Sequence, residues 1–295
     1  VSERRHRQLG EGLHARGYTR AEDGLVWETF LGDDLVVQCP PVGEEELVSR
    51  ARALLSRARG AGARVPEVVD GDPTPPAYLV VRRIHGRTLS AVRNGDEPGR
   101  DLLAAVESAG ETLGRIHSTG GEGYGDIEAP AYHEGSSNTW RGFVREVVAD
   151  ALEFTAGGPF AAVVEAAADG FRPAAVPETP PVALLHDDFS ESNVIIDPAG
   201  RAWAVDLDNA LYGDSRFGFV RARSSLAGDE SEATAFGRGY GRTHELALGE
   251  KLEDEYVRLA IVKSAHDGEW CRRNTTVETA DWADGLAEWY RSRFE

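Results

Sequence analysis

Asp188, Asn193 and Asp206 carry the oxygen atoms with the most chemical promise in this sequence. They lie within LLHDDFSESNVIIDPAGRAWAVDLDNALYGD, residues 184–214. Carboxylate and amide oxygens are hard ligands. Mg²⁺ takes a few of them and completes its octahedron with water and phosphate oxygens. A neighbouring carboxylate such as Asp188 can hold or accept the proton of an attacking hydroxyl. The set suits phosphoryl transfer, where positioning and charge neutralisation supply most of the catalysis. Asp187, Glu191, Asp208 and Asp214 stand close by in sequence. They offer an acidic wall for an amine-bearing acceptor. Taken singly, each is more often a solvated surface acid than a ligand.

These groups must be brought together by local elements. Val194–Ile196 is a short apolar strand, DPAG turns the chain, and RAWAV brings a second strand back. Such a hairpin puts Asn193 at the start of one strand and Asp206 at the end of its neighbour. Asp188 lies just ahead, on the preceding loop. Upstream, GLVWETF and DLVVQC flank LGDD and spell a hairpin. PPVGEEELVSRARALLSRARG then opens with Pro and acids and ends at Gly60. Leu47, Ala51, Leu54, Leu55 and Ala58 fall on one helical face there. VPEVV and AYLVVRRI are two further strands. From about Arg87 the pattern turns helical: Leu102, Leu103, Val106, Leu113 and Ile116 recur at helical spacing. Residues 139–154 and 159–171 follow as helices, and helices resume from about Glu232 to the end. Trp282, Leu286, Trp289 and Phe294 form a final core-facing stripe. Residues 128–140 and 171–181 read as loops, and Tyr132, His133 and Trp140 could wall an acceptor site. The expected fold is α+β and bilobal. A sheet lobe with one helix covers 1–84, and a larger helical lobe covers 85–295.

Composition narrows the function classes. The chain has 295 residues, 41% of them hydrophobic, enough for one large domain or two lobes. No run of about 18 apolar residues exists, so no membrane span is expected. The start, VSERRHRQLG, lacks a signal peptide's apolar stretch. Cys39 and Cys271 cannot build a disulfide framework. The expectation is a soluble, cytoplasmic protein. Net charge is −18, which disfavours nucleic acid and anionic lipid and favours cationic partners. An equally plain account of that charge is solubility. Among 32 basic residues only Lys251 and Lys263 are lysines.

The H-x-D-x4-N pattern at His186, Asp188 and Asn193, followed by VDLD and GD, resembles the aminoglycoside phosphotransferase and choline kinase group. These are relatives of the protein kinases. The resemblance implies a protein-kinase-like fold and Mg²⁺-dependent use of ATP or GTP. It implies a catalytic role for Asp188, metal binding by Asn193 and Asp206, and a bracing role for His186. GRIHSTGGEGYGDI and YLVVRRIHGRTLS resemble the group's Leu-His helix end and its hinge strand. The likeness spans nearly the whole chain and is weakest before residue 65.

Two departures matter. The group's phosphate-binding lysine belongs on the strand DLVVQC, where Gln38 stands. Its glutamate partner falls near Arg50, or at Glu46 in another frame. Arg50 could reach the α/β-phosphates instead, since arginine is a good bidentate phosphate ligand. Arg82 and Arg83 are weaker candidates near the adenine. The phosphate-covering segment offers only Gly24. Further on, an aspartate that braces the loop in relatives is replaced by Gly218, while Asp187 stands where relatives have glycine. Three functions compete. The first is phosphoryl transfer to a small cationic natural product such as an aminoglycoside-like antibiotic. The second is a kinase of Ser/Thr in a precursor peptide. The third is a pseudokinase scaffold.

Overall fold

A computed structural model describes residues 2–21, 26–95 and 99–295. Gly24 lies outside them. Helix α1 (Ser2–Ala15) leads into a five-stranded antiparallel sheet: β1 (Thr19–Arg20), β2 (Glu28–Leu31), β3 (Leu35–Cys39), β4 (Val68–Asp72) and β5 (Tyr78–Arg82). The strand order is β1-β2-β3-β5-β4. Helix α2 (Glu46–Gly60) crosses from β3 to β4 and buries Val48, Ala51, Leu54, Leu55 and Ala58. Its apolar stripe is therefore the one the spacing predicts. The sheet has two differently packed faces. Phe30, Val37 and Cys39 cover one face together with Leu13 of α1. Val36 packs on the other face, against the main core, and strand alternation puts Gln38 on that side too. The expected single helix of this region is corrected to two. Helix α1 escapes the apolar-stripe test because its sequence is largely polar.

A short connection, residues 83–86, leads to β6 (Arg87–Thr88), α3 (Leu89–Arg93) and α4 (Gly99–His117). Strands β7 (Tyr124–Ile127) and β8 (Gly135–Ser137), then α5 (Trp140–Thr155) and α6 (Ala161–Gly170), follow. Next come β9 (Val182–Leu185), β10 (Val194–Ile196), β11 (Ala202–Ala204) and β12 (Leu211–Asp214). The chain ends in α7 (Ser215–Leu226), α8 (Glu230–Tyr240), α9 (Glu250–Asn274) and α10 (Ala280–Phe294). Helices thus resume at Ser215, earlier than the pattern suggested. Two small antiparallel sheets, β11-β10-β6 and β8-β7-β12-β9, sit among these helices.

One contiguous core runs from Trp27 through α2, α4 and β9 to Leu286 on α10. The β10–β11 hairpin is fastened to the first sheet's end of the molecule by Arg64. Its amide carbonyl accepts from Ala204 N at 2.9 Å, and its Nε donates to the Ala202 carbonyl at 2.9 Å. Asp197 ties the hairpin turn by accepting from Ala199 N, Arg201 N and the Trp203 indole. This fixes the two strand ends that carry Asn193 and Asp206.

Candidate active site

The connection between β9 and β10 is a series of tight turns. Ser190 N donates to the Asp188 carbonyl at 3.0 Å, and Asn193 N donates to the Ser190 carbonyl at 3.1 Å. The Asn193 side-chain amide then donates to the Asp188 carbonyl at 3.0 Å and to its carboxylate at 2.8 Å. Val205 N donates to the Asn193 carbonyl at 3.0 Å, which puts Asp206 directly beside the loop. His186 is buried; its Nε2 donates to the Val205 carbonyl at 2.9 Å, and its ring meets Phe189 edge-on. It braces the loop against the strand that delivers Asp206.

The three oxygen-bearing groups differ in environment. Asp188 is partly buried, and burial raises its pKa. The charges of Asp206 and Asp267 push the same way, while His186 and Arg221 oppose them. Asp206 is exposed and holds a left-handed backbone, φ 63°. An exposed carboxylate beside a side-chain amide, both facing a carboxylate that accepts protons more readily than usual, fits a divalent cation and a hydroxyl acceptor.

Opposite this loop stands Arg50, one turn into α2. Its Nη2 donates to the Ala210 carbonyl at 2.8 Å, and its charge acts on Asp208. Its Nε is buried without a partner. A buried donor without a partner is costly, so turning this guanidinium towards an anion would satisfy it. Glu46 is exposed at the start of α2, so Arg50 is the helix residue turned to the site. Gln38 shares the sheet face that looks this way. The Trp27 indole N–H donates to Asp208. Burial, then the charge of Asp206, lifts Asp208 to about 7, and Arg50 opposes them.

Residues 6–253 match the phosphotransferase enzyme family. The chain belongs to that family. It is a kinase-type phosphotransferase. Its fold is shared with solved structures at low identity. A thermostable mutant of aminoglycoside phosphotransferase APH(4)-Ia in its apo form is 23% identical, with a TM-score of 0.70 over 93% of this chain and 94% of that one. A choline/ethanolamine kinase family protein from Mesorhizobium loti is 19% identical, with a TM-score of 0.66 over 94% and 88%. Macrolide 2′-phosphotransferase MphH from Brachybacterium faecium is 16% identical, with a TM-score of 0.62 over 93% and 96%. No curated protein matches the chain. The fold of the phosphotransferase is therefore the kinase-like one that the motif implied.

The proposed acidic acceptor wall is corrected. Asp187 is 7% exposed and ion-paired to Lys263 Nζ at 2.9 Å and Arg221 Nε at 3.6 Å. Glu191 is held by Arg93 Nε at 2.5 Å, which also binds Glu232 and so ties the loop to α3 and α8. Asp208 lies under Trp27, beside Arg50. Asp214 is 2% exposed; it caps α7 at Arg216 N, pairs with the Arg216 guanidinium and accepts from Tyr256 Oη at 2.6 Å. Each acid is already engaged within the chain: Asp187, Glu191 and Asp214 by cations, and Asp208 by an indole N–H. Trp140 is likewise core, 1% exposed, with its indole donating to Tyr256. Arg82 pairs with Glu67, and Arg83 donates to the Gly32 carbonyl at 2.6 Å. Both line a cavity of about 330 Å³ with Trp203 and Pro198, separate from the Asp188 loop.

Sequence reasoning missed Trp27, Arg221, Lys263 and Asp267. Lys263, Asp267 and Cys271 recur at helical spacing along α9, and Lys263 is one of only two lysines. Those were the available signals. Asp267 is 42% exposed and bound to Arg221 at 2.6 Å. Burial pushes its pKa up, but Arg221, His266 and Lys263 outweigh that and hold it well below the usual carboxylate range.

Proposed function

We propose that the phosphotransferase moves the γ-phosphoryl group of ATP or GTP, with Mg²⁺, to a hydroxyl of a small cationic natural product such as an aminoglycoside-like antibiotic. The observation that carries this reading is the hydrogen-bonded convergence of Asp188, Asn193 and the strand end bearing Asp206. Asp188 accepts the acceptor hydroxyl's proton, and its raised pKa makes it the better base. Asn193 orients the Asp188 carboxylate and, with Asp206, would hold the metal. Bound Mg²⁺ neutralises phosphate charge. Arg50 supplies the cation that Gln38 cannot; Arg82 and Arg83 remain the weaker candidates, engaged by Glu67 and the Gly32 carbonyl.

Support for a cationic acceptor comes from the net charge of −18; Asp267, half-exposed near Asp188, is already paired with Arg221 and adds little. One structure of this fold is a ternary complex of a thermostable APH(4)-Ia mutant with ADP and hygromycin B, 21% identical with a TM-score of 0.70. We assign residues 1–84 and 85–295 to two lobes that meet at the 83–86 connection. A need for ATP or GTP accords with a cytoplasmic location.

The test is calorimetry with ATP and GTP, with and without Mg²⁺, followed by turnover with an aminoglycoside panel. Metal-dependent binding and phosphorylation of a cationic acceptor are expected. Silence at millimolar Mg-nucleotide would overturn the reading. Transfer to Ser/Thr peptides alone would move the acceptor to the precursor-peptide class.

A further inference from the structure

We infer that Lys263 and Arg221 are positioning residues for the transfer step, acting as a two-cation clamp on Asp187 that aims Asp188. This rests on the phosphotransferase reading above.

Asp187 holds a left-handed backbone, φ 60°, which a residue with a Cβ rarely adopts. Aspartate enters this region more readily than most residues, as exposed Asp206 also does at φ 63°, so contacts at Asp187 select the conformation among accessible ones. Here the contacts are two cations from two helices. Lys263 of α9 meets one carboxylate oxygen at 2.9 Å, and Arg221 of α7 faces the other at 3.6 Å. The three side chains are 7%, 11% and 17% exposed for Asp187, Arg221 and Lys263, so water screens the pairing little.

The peptide joining residues 187 and 188 is thereby fixed, and with it the direction in which the Asp188 side chain leaves the loop. Asn193 grips the far end of that side chain. Asp188 is thus held between Asn193 and the clamp. Removing either cation frees the backbone to leave its unfavourable conformation, and the carboxylate swings with it. A void of about 10 Å³, lined by His117, His186, Asp187, Gly218 and Arg221, adjoins the pair and gives the carboxylate room to move once a cation is removed. Gly218 on α7 is filled by the buried His117 ring; a Cβ there would lie 2.7 Å from His117 Nε2.

Arg221 has a second duty. Its Nη2 binds Asp267 at 2.6 Å, four residues beyond Lys263 on α9. The clamp therefore joins the loop to the helix whose exposed acid adjoins it. Asp267 is ion-bridged to the residue that steadies Asp188.

The experiment compares Lys263→Met with Lys263→Arg, using Mg-ATP and water as the acceptor, so that no acceptor need be known. Lys263→Met keeps the aliphatic stem and removes the charge. We expect kcat for hydrolysis to fall about tenfold, the nucleotide Kd to stay within about twofold, and Lys263→Arg to recover part of the loss. Unchanged kcat in Lys263→Met, or a loss in step with the unfolded fraction, overturns the clamp. Failure of the unaltered chain to bind Mg-ATP indicts the phosphotransferase reading instead. Crystal structures of the unaltered chain and Lys263→Met then decide the clamp independently of turnover. Loss of the 2.8 Å Asp188–Asn193 hydrogen bond in the variant supports it, and retention of that bond refutes it.

Discussion

Asp188, Asn193, Asp206 and His186 were legible in the sequence because the bonds that unite them span at most 19 residues of chain. A tight loop and one hairpin are enough to gather them. Replacing Asp188 by Asn should leave nucleotide binding intact and cut turnover by about 100-fold or more, as calorimetry and a coupled assay would show. The surrounding acids were misassigned for the converse reason. Glu191 answers to Arg93 and Asp187 to Lys263, partners 98 and 76 residues away, which proximity in sequence cannot reveal. Arg50 is the intermediate case. Its helical position was readable, but its partners at Ala210 and Asp208 were not. Arg50→Ala should weaken Mg-ATP binding about tenfold, roughly 1.4 kcal/mol, while Gln38→Ala leaves it nearly unchanged. Equal affinity in the arginine variant would remove Arg50 from the nucleotide site.

Elements with a clear apolar stripe, such as α2 and α4, were found from periodicity. Helix α7 was not, because SRFGFVRARSSL intersperses arginine and serine with its buried residues. Its start is set by Asp214, whose carboxylate also binds Arg216 and Tyr256. Asp214→Ala should cost about 3–5 kcal/mol, since it leaves a cation and a hydroxyl unpaired inside the protein. The midpoint of urea unfolding measures this. Helix α9 carries the pH-sensitive counterpart. Hydrogen bonds from Arg272 lower the Glu269 pKa from 4.5 to about 2; burial opposes them, and Arg273 adds to them. A carboxylate whose pKa is lower folded than unfolded stabilises the fold above its unfolded pKa, and that stability is lost as pH falls through the folded one. Glu269 should therefore contribute to acid unfolding between about pH 4.5 and 2. Glu269→Gln should flatten the stability profile in that window, and an unaltered slope would contradict the assignment.

At the scale of the whole molecule, a resident first sheet with α2 on its face meets a helical body through residues 83–86, Arg64 and Trp27. The kinase-like architecture was implied by one motif of 21 residues, through its resemblance to the aminoglycoside phosphotransferase and choline kinase group. The face on which Gln38 lies followed from strand alternation. The contents of the cleft did not, since Trp27 comes from a segment whose pattern reads only as strand. That tryptophan is 6% exposed, and its indole donates its single N–H to an acid two residues past Asp206. The molecule therefore carries an optical gauge in its own chain. A guest that draws Asp208 away breaks the indole's one polar contact, so a shift in emission that a Trp27→Phe variant loses would report occupancy apart from the other five tryptophans.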